Sequence, residues 1–117
     1  MSSLDHWANE AYCYLTTTGR ISGRPHTIEI WFALHDATVY LLAGGRYQAD
    51  WVKNAQAQPQ VTVKLGDQTW PAHARIVDDA EEDAHARHVV VAKYERDGNL
   101  SEWGRTALAV ALDIQTR

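Results

Sequence analysis

Between residues 27 and 34 the chain alternates Ile28, Ile30, Phe32 and Leu34 with Thr27, Glu29, Trp31 and Ala33, the period of two that places alternate side chains on one face of a half-buried strand. His35-Asp36-Ala37 turns the chain and Thr38 to Ala43 returns as a strongly apolar strand, so the two runs predict a hairpin that ends at Gly44-Gly45. Ahead of them, Ala11 to Thr17 reads as a strand entering a polar loop, and Ser3 is the cap expected for a short helix over residues 3 to 9. Gln60 to Leu65 and Gln68 to Val77 flank Gly66-Asp67 as a second hairpin. Pro71 there marks an edge or a bulge, because it has no N–H to give to a ladder. The last run, Thr106 to Ile114, sets Leu108, Val110, Leu112 and Ile114 against Ala107, Ala109 and Ala111, leaving a small-residue face that a second layer or a partner chain can approach closely.

Helical spacing interrupts this pattern twice. Asp50 favours the positive end of a helix over Asp50 to Gln58, which Pro59 stops. Asp78-Asp79-Ala80-Glu81 is a helix-start signal, and Ala80, Ala84, Val91 and Tyr94 continue it toward Gly98 as the longest helix. Six strands, one main helix and short connections predict a mainly β (α+β) fold, a six-stranded antiparallel barrel in a single domain spanning residues 1–117.

Fifteen acidic against eleven basic residues argue against a general nucleic-acid binder, which needs cations to displace counterions from phosphates. The charge is uneven: residues 73 to 105 carry eight acidic side chains, whereas residues 11 to 72 carry five basic and four acidic ones. The single cysteine, Cys13, excludes an intrachain disulfide and reads as a core residue. No apolar run has the length of a membrane span, so a cytoplasmic setting is expected. Nucleophile-elbow, Walker, dinucleotide and paired-cysteine motifs are all missing. His85 and His88 share a helical face without a matching third ligand and read as solvated; no metal site is expected.

Two segments remain. Leu15-Thr16-Thr17-Thr18-Gly19-Arg20-Ile21-Ser22-Gly23-Arg24-Pro25-His26 combines glycines that let backbone N–H groups converge with hydroxyls and two arginine forks, the chemistry of an anion cradle. Ala43-Gly44-Gly45-Arg46-Tyr47-Gln48-Ala49-Asp50-Trp51-Val52-Lys53-Asn54 is a glycine turn feeding a helix N-terminus, with Tyr47 and Trp51 available to flank a planar ring. Taken singly, each segment is equally well a plain turn with solvated arginines and a core tryptophan. Jointly they predict a ligand with a flat ring and an anionic tail, a flavin-like or nucleotide-like cofactor that brings its own reactive atom.

At these residues the chain resembles the deazaflavin (coenzyme F420)-dependent nitroreductase family of the split β-barrel flavin-binding superfamily. The resemblance is carried by Leu15 to Arg20 with Ser22 to Pro25, by Val39 to Gly45, by Asp50-Trp51 with Asn54, by Pro59 to Val63, and by Ala92-Lys93-Tyr94 with Trp103 to Leu108. It implies a split barrel in which Thr17, Thr18, Gly19, Arg20, Ser22, Gly23, Arg24, Pro25 and His26 cradle the phosphate and tail of F420. It further implies that Ala43, Gly44, Gly45, Asp50, Trp51 and Asn54 border the ring. The family often has a basic residue where this chain has His26, and a proline and a tyrosine where it has Ala49 and Val52.

The implied function is hydride transfer from F420H2 to a small electrophile such as a quinone, nitro compound or activated alkene. Tyr94 and Tyr47 are the tyrosine candidates for the proton and the acceptor pocket. FMN is the alternative cofactor, which Arg20 and Arg24 with Arg46 and Lys53 nearby disfavour modestly; a non-catalytic carrier of F420 or haem is the other class. The alanine face of the last strand favours a homodimer.

Overall fold

The structure, a computed structural model of the chain, describes residues 6–94 and 101–115. Seven strands form one antiparallel sheet: β1 (Cys13–Thr18), β2 (Pro25–Ile30), β3 (Ala33–His35), β4 (Thr38–Ala43), β5 (Gln60–Leu65), β6 (Gln68–Ile76) and β7 (Leu108–Ile114), in the order β2-β1-β5-β6-β7-β4-β3. Helices α1 (Asp50–Ala57), α2 (Ala80–Lys93) and α3 (Ser101–Thr106) and a 3-10 turn at Arg46–Gln48 complete the architecture. β2 and β3 stand at opposite ends of the sheet, yet only Trp31 and Phe32 join them. A flat sheet of this width would separate its outer strands by about 29 Å, whereas two linking residues reach about 11 Å. The sheet therefore curls into a split barrel.

The inner face carries Leu15, Leu41, Val63, Leu65, Val110 and Leu112 with Val52 and Ala55 of α1. The outer face of β4 and β7, with Tyr40, Leu42, Ala109 and Ala111, lies under Ala86 and Val90 of α2. The close approach expected on the alanine side is thus made by this chain's own helix, which removes that face as grounds for a homodimer. Asp79 caps α2, its side chain accepting from Glu82 N–H at 2.9 Å.

Several boundaries differ from the sequence expectation. The run over 27–34 is two strands rather than one, because the chain changes sheet ends at Trp31-Phe32, so the barrel has seven strands instead of six. The last strand starts at Leu108, since Ser101–Thr106 is α3. A six-residue helix is stabilised by tertiary contacts rather than by propensity; here Arg87 donates to the Gly104 carbonyl at 2.9 Å. α2 ends at Lys93; Gly98 and the first residues of the helix expected over 3 to 9 lie outside the described residues. Pro71 belongs to an interior strand, but its carbonyl accepts from Gln115 N–H beyond the last β6–β7 pair, Ala72 with Ile114. Its missing N–H therefore falls where β7 has run out, a local edge.

A polar cluster ties α2 to the sheet. Arg75 donates to Glu82 at 2.7 and 2.8 Å and to Asp113 at 2.6 Å, while Tyr40 donates to Glu82 at 2.7 Å. Hydrogen bonding from Arg75, with help from Tyr40, lowers the Glu82 carboxyl to about 2, and Arg75 likewise lowers Asp113. At the end of α2 the Lys93 Nζ lies 3.5 Å from the Phe32 ring centre, buried and without a hydrogen-bond partner among the described residues. Burial lowers its amine to about 8.

Carboxylates depressed in the folded state stabilise it fully above their unfolded range, near pH 4, and lose that contribution as pH falls. The stability gap between wild type and Arg75→Gln, measured by urea unfolding, is expected to be large at pH 6 and to shrink toward pH 2.5. For Lys93 the sign reverses: between about pH 8 and pH 10.5 the unfolded chain holds a proton the folded one has released, so this group's contribution improves with rising pH. Lys93→Met is expected to raise the urea midpoint at pH 7, with an advantage that narrows by pH 10.

Candidate functional site

The loop between β1 and β2 folds on itself. Gly19 N–H donates to the Arg24 carbonyl and Gly23 N–H to the Gly19 carbonyl, both at 2.8 Å, and Arg24 N–H donates to Ser22 Oγ at 3.1 Å. Gly23 takes the left-handed φ of 73°, which glycine adopts without cost. A Cβ at Gly19 would meet His26 Nε2 at 2.6 Å and Ser22 Oγ at 2.7 Å, so glycine here is what lets these two side chains gather over the backbone. The expectation of converging glycine amides is corrected: both are spent inside the loop. Among the described residues only the Ile21 and Ser22 amides of the loop lack such a bond.

The loop is tied to α1 through Asn54. Asn54 Oδ1 accepts from Arg20 N–H at 3.2 Å and from the Arg20 guanidinium at 2.7 Å, and its Nδ2 donates to Thr17 Oγ1 at 3.4 Å. Asn54 and Thr17 are 5% and 2% exposed, the buried polar pair of the described core. Arg20 also reaches Asp50 at 3.3 Å. Between loop and helix lies a cleft of about 400 Å³, lined by Thr17, Gly19, Arg20, Ser22 and His26 on one side and Asp50, Trp51 and Asn54 on the other. The two segments singled out in the sequence, separated by about thirty residues, therefore meet at Arg20, Asp50, Trp51 and Asn54.

The match is incomplete. Ala43 is 2% exposed in the core and pairs with Leu108, so its side chain reaches no ligand. Thr18, Gly23, Arg24 and Pro25 shape the loop without lining the cleft, and Gly44 and Gly45 lie elsewhere, a Cβ at Gly44 meeting Trp103 at 3.6 Å. Arg46, at φ 52°, donates to the Thr106 carbonyl and is turned to α3. Tyr94 is also corrected. Its hydroxyl lies 2.8 Å from the Ala11 carbonyl and 3.1 Å from that of Phe32 and accepts Phe32 N–H at 3.1 Å, so this tyrosine secures the strand crossover rather than facing a cleft. Tyr47 is exposed on the 3-10 turn.

Sequence reading missed a second cleft, of about 430 Å³, lined by Tyr12, Glu29, Ile30, Trp31, Leu42 and Trp103. Trp31 stacks on Tyr94 at 4.3 Å and meets Trp103 edge-on at 5.7 Å. Ile28 lines the first cleft and Ile30 the second; these residues are about 7 Å apart on one strand face, so the clefts are neighbours along β2. The signal available was Trp31 next to a strand break, hidden because the alternation runs through it. His88 is exposed as expected, but His85 is half-buried, its ring edge-on to His35 at 4.6 Å. Among the described residues no three metal-ligating side chains cluster, and no helix is long and apolar enough to cross a membrane.

The loop and helix of this split barrel thus enclose a polar, hydroxyl-lined cleft, and an aromatic cleft lies beside it. The chain belongs to the F420H(2)-dependent quinone reductase family, whose model matches residues 5–114. It is accordingly an F420H2-dependent oxidoreductase. Among solved structures it is similar to an F420-H2 dependent reductase, FDR-A, at 23% identity over 87% of this chain and 93% of that one, with a TM-score of 0.72. It is also similar to a domain-swapped dimer, at 24% identity over 87% and 79% with a TM-score of 0.73. HutZ, the heme storage protein from Vibrio cholerae, shares the fold at 18% identity over 100% and 93%, with a TM-score of 0.72. No curated protein matches the chain.

The Asn54 ties make a direct prediction. Asn54→Ala leaves Arg20 and Thr17 without their buried partner and is expected to cost about 1–3 kcal/mol in urea unfolding; an unchanged midpoint would show that the loop is held otherwise.

Proposed function

We propose that the cleft between the β1–β2 loop and α1 seats the anionic tail of F420, and that the aromatic cleft along β2 receives the ring and a flat electron acceptor, a quinone in the first instance and otherwise a nitro compound or activated alkene. What carries this reading is the convergence of Arg20, Ser22, His26 and Trp51 in one cleft. The donor set fits the cofactor: a guanidinium and an imidazole for phosphate or carboxylate oxygens, hydroxyls from Ser22 and Thr17, and an indole edge for a planar group. When bound, F420H2 supplies a hydride.

The chain's own residues bind and orient. Asn54 and Asp50 hold the Arg20 fork in place before any ligand arrives, which lowers the ordering cost of binding. Thr18, Gly19, Gly23 and Pro25 fix the loop, and the Arg24 backbone closes it on Gly19 and Ser22. Gly44, next to Trp103, leaves room there for the ring, and Gly45 turns the chain toward Ala49. Trp31 and Trp103 exclude water and present flat faces to an acceptor, and the exposed Tyr47 hydroxyl or solvent delivers the proton. A homodimer in a cytoplasmic setting completes the reading, supported by the domain-swapped dimer among the structural neighbours and by the unpaired outer edge of β2.

Titration of the purified protein with F420 and with FMN, followed by tryptophan fluorescence, is expected to show at least about tenfold tighter binding of F420 and about tenfold loss in Arg20→Ala. F420H2 oxidation by benzoquinone should depend on the protein. Tight FMN binding with no F420 binding would sink the assignment, and tight F420 binding without turnover over a panel of acceptors would leave a carrier.

A further inference from the structure

We propose that His26 sets the net charge of the anion cleft, so that the cleft holds an anionic group strongly only while this imidazole is protonated. The inference rests on the reading of that cleft as an anion seat. Its charged walls are few. Arg20 faces it from the loop and Asp50 from the first turn of α1, and the two are paired at 3.3 Å, so one cation is already answered by one anion. Thr17 from β1, Ser22 from the loop and Asn54 from α1 are neutral, and Arg24 does not line the cleft. The remaining ionisable wall is His26.

Its placement is built rather than incidental. His26 stands on β2 opposite Thr17 of β1, its Nε2 is 3.5 Å from Ser22 Oγ, and the bare Cα of Gly19 gives it room. Imidazole is the side chain that ordinarily changes charge between pH 5 and 8. When neutral it leaves the walls balanced; when protonated it gives them one net positive charge and a second donor beside Ser22. A lysine or arginine at this position would keep that charge at every physiological pH. The chain has instead a side chain whose charge is not permanent.

Sulfate is the informative probe, because its double charge is constant from pH 5.5 to 8, unlike that of a phosphate monoester. Binding is read through tryptophan fluorescence at fixed ionic strength, with Trp51→Phe as the control for the signal, alongside F420 titration at each pH. Wild type is expected to bind sulfate about fivefold more tightly at pH 5.5 than at pH 8, the modest size reflecting an exposed site. His26→Ala should be weak and flat across that range, and His26→Arg tight and flat. Gly19→Ala, which displaces the imidazole without removing it, should lose the pH dependence as well. Equal affinity at the two pH values in wild type, or a dependence that survives in His26→Ala, overturns the role of His26 and leaves the anion seat standing. Absence of both sulfate and F420 binding at either pH overturns the seat itself.

Discussion

The two-residue connection Trp31-Phe32 is the constraint on which the rest of the structure depends. It joins strands at opposite ends of a seven-strand order, so the sheet has to close on itself, and closure leaves the crossover residues as the point where backbone pairing is interrupted. Groups freed from a ladder inside a protein must find partners. Tyr94 supplies them: its hydroxyl takes the Phe32 N–H and reaches the Phe32 and Ala11 carbonyls, while its ring stacks under Trp31. One side chain at the end of α2 thus holds the seam of the barrel, and the same contact orients Trp31 toward the aromatic cleft.

A second dependence runs from core to site. Asn54 is buried because α1 packs Val52 and Ala55 into the barrel, and a buried amide must spend its hydrogen bonds. It spends them on Arg20 and Thr17. The β1–β2 loop is therefore held by the packing of a helix that is remote from it in sequence, and the same contact fixes the Arg20 guanidinium. In cofactor enzymes generally the protein contributes position and electrostatics while the cofactor contributes the reactive bond.

Much of the fold was legible. Alternation located the strands, and glycine, proline and acidic punctuation located the turns and the starts of α1 and α2, because these signals are local steric and hydrogen-bonding effects. The strand break at Trp31-Phe32 was not, since a two-residue change of sheet end does not disturb a period of two. α3 was missed because so short a helix owes its existence to α2. In the site, the loop and the Asp50-Trp51-Asn54 segment were recognisable by composition. The use of the loop amides, the burial of Ala43, the engagement of Tyr94 and the separation of Gly44-Gly45 from the anion cleft depend on which groups end up face to face.

The sequence by itself determined most of the strands, the main helix, the residue types expected of an anion seat and, through its resemblance, the cofactor class. These follow from side-chain period, backbone freedom and charge, all properties of short stretches of chain. Only the tertiary structure decided that Arg20 would be answered by Asp50, that His26 would sit over Gly19 inside the cleft, and that Trp31 and Trp103 would form a second cleft along β2. Those outcomes come from closing the sheet, which brings together residues whose separation along the chain carries no trace of their contact.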